Sequence, residues 1–160
     1  MKYDNSTVRR QDRLLDEKRA VELLHGGEYG FLAMTDGEAA YAIPMSYAVK
    51  GDCIYSHSAP DGEKFRFLGH SRRVSFTVVG KTAVQPSKFT TLYESVIAFG
   101  EVRIVESDAE RRDALELLLD KYSPDDKVVG MKYAGASLPR TALLCLKVER
   151  WSGKSKGGDF

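Results

Sequence analysis

Hydrophobic and polar positions along this chain recur with two periods, and the period switches several times. Residues 72–79 alternate, with Val74, Phe76 and Val78 on one side and Ser75 and Thr77 on the other, as a half-buried strand requires. A longer alternating run spans 90–106. Val96, Ala98, Gly100, Val102 and Ile104 share one face, and Ile97, Phe99, Glu101 and Arg103 share the other. The segment 141–151 alternates through Ala142, Leu144, Leu146 and Val148. Nearer the start, 29–34 and 39–49 read as strands joined by the turn Thr35-Asp36-Gly37-Glu38, and Lys50-Gly51-Asp52 turns into a strand over 53–57. Pro44 interrupts the second of these. A proline cannot donate to a ladder, so this position is expected at an edge, at a bulge or beside a ligand.

Helical spacing fills the gaps. Asp16 is a good N-cap for a helix carrying Ala20, Val21, Leu23 and Leu24 as its apolar stripe, and Gly26-Gly27 ends it. A short helix over 60–69 starts at Asp61 and buries Phe65 and Leu68. Ser107 and Glu110 have capping-box spacing ahead of Ala114, Leu115, Leu118, Leu119 and Tyr122, and Pro124 stops that helix. Residues 125–133 suggest one more short helical turn. Residues 3–15, with Arg9, Arg10, Asp12 and Arg13, read as an extended arm lying on the surface or on a partner; 152–160 read as a loose tail. Connections are short, no βαβ unit or repeat is visible, and the chain therefore reads as one domain over 1–160. Its class is mainly β with flanking α: an antiparallel, closed or nearly closed barrel of about six strands.

Composition narrows the function. At 160 residues with 42 % apolar and 29 % charged side chains, the chain can build a single real core. Its 24 Lys and Arg against 23 Asp and Glu leave a net charge of +1, so nucleic acid and anionic membranes are not expected partners. The polar N-terminus has no signal-peptide pattern and no apolar run approaches a membrane span; a cytoplasmic location is the default expectation. Cys53 and Cys145 fall in apolar strands without metal spacing and read as reduced, packed thiols. The three histidines, His25, His57 and His70, are scattered, which argues against zinc. No nucleophile elbow, dinucleotide fingerprint or P-loop occurs. Any redox chemistry must therefore be carried by a bound cofactor.

Four stretches could hold one. Residues 54–65 run from a strand end at His57 through Ser58 and Ala59 to a helix start with Gly62 and Lys64. A lysine in a helix's first turn opposes the dipole, a conflict that a bound phosphate would resolve; a plain capped helix with a solvated lysine is the alternative. Residues 41–47, centred on Pro44, could expose backbone groups to a flat heterocycle or simply form a barrel corner. Thr91, Tyr93, Glu94 and Ser95 could line a site, an interface or a solvated strand entrance. Trp151, beside Ser152-Gly153-Lys154, suits either ring stacking or closure of the core.

Taken in order, these pieces resemble the split-barrel flavoproteins of the pyridoxamine 5′-phosphate oxidase-like superfamily, and most of all the nitroimidazole-resistance type. The matching segments are 8–13, 41–46, 54–64, 73–78, 93–100 and 149–154. The resemblance implies an FMN-binding homodimer that holds each flavin at the interface. By that likeness Ile43, Pro44, Met45 and Ser46 run beside the isoalloxazine ring, and His57, Ser58, Ala59, Gly62 and Lys64 surround the ribityl phosphate. Tyr93, Glu94, Ser95 and Val96 approach from the neighbouring chain, while Trp151 and Lys154 close over the ring. His57 is the candidate catalytic residue, with phosphate binding or loop orientation as its other roles. Related barrels use haem or deazaflavin. No arginine-rich substrate-phosphate segment is apparent near the C-terminus, which puts vitamin B6 oxidation in doubt. The implied activity is transfer of electrons from NAD(P)H to a small aromatic or nitroaromatic acceptor; a non-catalytic flavin- or haem-binding protein is the alternative.

Overall fold

The computed structural model describes residues 1–157. Eight strands form one sheet: β1 (Lys2–Tyr3), β2 (Gly30–Thr35), β3 (Ala40–Met45), β4 (Tyr47–Lys50), β5 (Cys53–Ser58), β6 (Arg73–Gln85), β7 (Thr90–Ile104) and β8 (Ala142–Lys156). Four helices accompany them: α1 (Glu17–Gly26), α2 (Glu63–His70), α3 (Asp108–Tyr122) and α4 (Lys127–Ser137). The hydrogen-bonded order is β3-β2-β6-β7-β8-β5-β4, with β1 added to β8. The two ends of that path, β3 and β4, are consecutive in the chain and separated by Ser46 alone. The sheet must therefore curl until its edges meet at this corner without bonding along their length. That is a split barrel.

Pro44 sits on β3, an edge strand paired only to β2, where it faces Phe31. An edge can turn a nitrogen without hydrogen away from the ladder, as expected. The free edge of β4 is covered instead. The Tyr122 hydroxyl, at the end of α3, accepts from the Tyr47 N–H (2.8 Å) and lies 2.7 and 3.0 Å from the Glu28 and Tyr47 carbonyls, to one of which it donates.

The barrel interior holds Leu32, Phe76, Val78, Val96, Val148 and Trp151, and α1 plugs one end with Ala20, Leu23 and Leu24. Val21 does not join the expected stripe; it is exposed on the far side of α1. Asp16 caps this helix by accepting from the Arg19 N–H. On α2 the buried pair is Phe67 and Leu68, with Phe65 only half-buried. A second apolar cluster, built on Ala48, Val105, Ala114, Leu118, Leu143 and Cys145, fastens α3 to the outside of β4, β5 and β8. Both cysteines are free thiols.

Three further sequence expectations need correction. β6 runs on to Gln85 past a bulge at Val79/Thr82, and that bulge breaks the alternation that marks the first half of the strand. The capping box at Ser107 does not form; Glu110 is drawn away by the Arg103 guanidinium and the Tyr55 hydroxyl. Residues 152–156 are not a loose tail but the end of β8, paired to Tyr93–Ile97 of β7; of the rest of that expectation, 158–160 lie outside the described residues. The arm lies on its own chain: β1 runs parallel to β8, Leu15 N–H donates to Gly153 O, and Tyr3 packs on Trp151 at 4.7 Å between centroids. Among the described residues no helix is long and apolar enough to cross a membrane.

Candidate functional site

The fifteen candidate residues separate into two groups. The first gathers at the barrel corner. β4 pairs with β5 so that Tyr47 faces Ser56, which sets Ser46 beside His57 at the rim of one cavity. Pro44, Ser46 and His57 are exposed, Ile43 is half-buried and Met45 is buried with its sulfur 3.9 Å from the Ser56 hydroxyl. Neither the Ser46 nor the His57 side chain has a hydrogen-bond partner among the described residues. β5 ends at Ser58, whose hydroxyl donates to the Ala59 carbonyl (2.8 Å).

The chain then turns through Gly62, the N-cap of α2, at φ 99°, a left-handed value that glycine accepts without strain. No side chain caps the helix there; the Phe65 N–H donates to the Gly62 carbonyl at 3.0 Å, and the Glu63 and Lys64 N–H groups stay open. Lys64 folds back over that turn, its ammonium 3.4 Å from the Asp61 carbonyl and 5.0 Å from the Phe65 ring centre. A cation, open N–H groups and a glycine with free space beside it make a surface that suits a phosphate.

The second group lies on β7 and β8, and the two-residue period divides it. Tyr93, Ser95 and Lys154 point to the outer face of the sheet. Burial alone would push the Tyr93 phenol up, but hydrogen bonds and charge from Lys154 and Arg13 outweigh it, and the phenol is held below its ordinary value. This is a cationic patch, and Arg13 belongs to it only because the arm folds back along β8. Glu94, Val96 and Trp151 point the other way. Val96 is fully buried, and Trp151 is 2 % exposed with Tyr3 against it, so its indole fills the core and has no face open to a cofactor. The Glu94 carboxylate accepts two hydrogen bonds from Arg19, at 2.7 and 3.0 Å. Its burial raises the carboxyl, yet the Arg19 pair and the Lys81 N–H bring it below the usual carboxylate value. It locks α1 to the sheet and is not available to a ligand.

Sequence reasoning missed the cavity beside Ser46 and His57. It has a volume of about 500 Å³ and its far wall is the α3–α4 hairpin, with Leu115, Leu119, Tyr122, Tyr133 and Ala134. Gly130 lets the two helices close up, because a Cβ there would meet the Leu119 side chain at 2.6 Å. The signal was faint: α4 reads as a short turn over 125–133, and only its full length makes a wall.

The fold defines an antiparallel split barrel. The chain belongs to the pyridoxamine 5′-phosphate oxidase family, whose profile matches residues 16–155. Solved structures share the fold. A candidate 5-nitroimidazole antibiotic resistance protein from Bacteroides thetaiotaomicron superposes with a TM-score of 0.74 at 22 % identity, over 89 % of this chain and 86 % of that one. An FAD-binding protein from Mesorhizobium loti gives 0.68 at 21 %, over 91 % and 98 %. An FAD- and haem-binding protein from Mycobacterium smegmatis gives 0.68 at 20 %, over 89 % and 72 %. No curated protein matches the sequence.

Proposed function

We propose that this chain is an FMN-dependent oxidoreductase that acts as a homodimer, taking electrons from NAD(P)H and passing them to a small aromatic or nitroaromatic acceptor. The observation that carries the reading is the distance between the two polar groups. His57 faces Leu143 of β8, and Ser95 faces Lys154. At a rise of about 3.3 Å per residue these lie on the order of 36 Å apart along the strand. No single flavin can touch both within one chain, but a second copy can bring one group to the other.

The residues fit a flavin phosphate and ring. Lys64, the open N–H groups after Gly62 and the Ser58 hydroxyl suit one phosphate, which favours FMN over a dinucleotide. The exposed β3 edge at Pro44, with Ser46 just beyond it, suits the rim of a planar ring. Lys154 and Arg13 of the second copy would add positive charge where a reduced, anionic flavin needs it, with its Tyr93 and Ser95 hydroxyls beside them. Bound flavin supplies the hydride and electron chemistry; the chain's part is to anchor, orient and neutralise. Fold neighbours named for FAD support a flavin.

An absorbance spectrum of the purified protein, before and after FMN is added, tests this directly. Flavin bands with saturable uptake are expected, and Lys64→Ala should weaken uptake about tenfold, the size of one charge-assisted contact. A colourless protein that takes up no FMN overturns the reading. Haem is the second reading, because one fold neighbour is named for FAD and haem and His57 stands exposed at a strand end; a Soret band would select it.

A further inference from the structure

The cavity between the α3–α4 hairpin and the Ser46–His57 corner has a chemical character of its own. Among the described residues, none of its lining side chains is a carboxylate, a lysine or an arginine. Three of its six hydroxyl groups are already engaged. Tyr122 holds the β4 edge, Ser137 donates to the Ala134 carbonyl (3.2 Å) and Thr141 donates to the Ser137 carbonyl (3.0 Å). What remains for a ligand is apolar and aromatic wall, with the Ser123 and Tyr133 hydroxyls on the hairpin side and Ser46 and His57 together at one end. At about 500 Å³ it falls within the range of small-molecule sites and has room for two or three fused rings.

We propose that this cavity binds the aromatic acceptor, and that it selects neutral molecules carrying a carbonyl or nitro oxygen over anionic or phosphorylated ones. The inference rests on the flavin reading above, because Ser46 and His57 would stand between cavity and cofactor. The apolar walls take the ring system. The Ser46 hydroxyl and the His57 imidazole can hydrogen-bond its oxygen on the cofactor side, and the Ser123 and Tyr133 hydroxyls can do so from the hairpin side. An anion entering here would lose its hydration without meeting a cation, which strongly disfavours it. The hairpin is therefore the element that sets specificity, and α4 supplies the residues that can be varied without touching the flavin groups.

Calorimetric titration with 1,4-naphthoquinone and with its 2-sulfonate tests the proposal, on FMN-loaded and on FMN-free protein. The quinone should bind in both states, and the sulfonate at least about tenfold more weakly. Ser137→Phe, which fills the cavity from the end of α4, should abolish quinone binding and leave FMN uptake unchanged; Ser137→Leu replaces it if the larger side chain prevents folding. Displacement of the quinone by FMN would overturn the proposal, since the cavity would then be part of the flavin site. So would equal binding of the sulfonate, or full quinone binding by the filled variants. Quinone bound by a protein that takes up no FMN would instead overturn the flavin reading and leave the cavity's selectivity standing.

Discussion

Lys121 inverts the usual habit of long cationic side chains, which bury the stem and keep the head in water. Its ammonium is buried without a hydrogen-bond partner among the described residues and rests 3.8 Å from the centre of the Tyr47 ring, with the Tyr122 ring at 5.4 Å. The cation–π contact offsets part of the lost hydration, on the order of 1–2 kcal/mol. It does not offset all of it, and burial brings the amine down from 10.5 to about 8. Below pH 8 the group is charged in both states and folding carries the full penalty. Between pH 8 and 10.5 the folded chain releases the proton while the unfolded chain keeps it, so this group makes stability rise with pH. Tyr47, pushed up by burial and by Tyr122, acts oppositely above pH 10, so the readout must be a difference. Lys121→Met keeps the stem's packing and removes the charge. It should be more stable than the parent by about 1 kcal/mol at pH 7, and denaturant titrations should show that advantage shrinking to nothing by pH 10.5. A parent of equal or greater stability at pH 7 would mean that the ring carries the charge without penalty.

At the scale of elements, the long β7–β8 pairing depends on a residue that has no side chain. Between Phe99↔Arg150 and Gly100↔Val148 the register shifts, leaving Glu149 as an extra residue on β8. Its carboxylate swings out to a two-point pair with Arg73, at 2.7 and 2.8 Å. The bulge presses β8 onto Gly100, where a Cβ would stand 1.9 Å from the Lys147 carbonyl oxygen. That atom is backbone, inside a ladder, and cannot yield without breaking it. Gly100→Ala should cost about 3 kcal/mol, at the upper end of overpacking effects, read as a lower denaturation midpoint with an unchanged slope. Retention of the parent midpoint would show that β8 can move. Such bulges also explain which elements were legible in the sequence. The run that alternates without interruption, 72–79, stands close to where the alternation puts it, and 141–151 keeps its predicted strand only up to the bulge at Glu149 before β8 runs on to Lys156. The second half of β6 was hidden because the bulge after Val79 shifts the phase. The end of β7 was misphased for a different reason: the strand stops at Ile104, which is exposed, and Val105 turns instead into the cluster beneath α3. Of the candidate site, the stretches 41–47 and 54–65 were legible as candidates from local chemistry, but their meeting at Ser46 and His57 was not, since that depends on the β4–β5 pairing. The inward turn of Glu94 and Trp151 was not, because which face of a strand is the core depends on what packs there.

At the scale of the molecule, the same two-residue period lays an apolar surface on the outside of the barrel. Phe31, Thr77, Ile97 and Ser152 face one another across β2, β6, β7 and β8, with Ala33, Ser75, Phe99 and Arg150 in the next row. Tyr29 packs edge-on against Phe31, and Val79 is half exposed. The Arg150 guanidinium covers Phe99 at 3.9 Å. Tyr93, Ser95 and Lys154 continue this surface at one end. A sheet face with aromatic and branched side chains at its centre and cations at its rim is suited to a second copy related by a two-fold axis, since one patch then serves both partners. The flavin reading needs that copy, because the two polar groups lie too far apart in one chain to share a ligand. Oligomeric state and cofactor affinity should therefore fall together. Ile97→Asp places a charge at the centre of the face, on a side chain that is only half-buried in the single chain, so the barrel should still fold. Sedimentation should give about twice 17.8 kDa for the parent and a single-chain mass for the variant, with FMN affinity reduced at least about tenfold, the size of one lost charge-assisted contact. If the variant became monomeric but held FMN as tightly as before, the cofactor site would be complete within one chain. The patch at Tyr93, Ser95 and Lys154 would then have to serve some other anion.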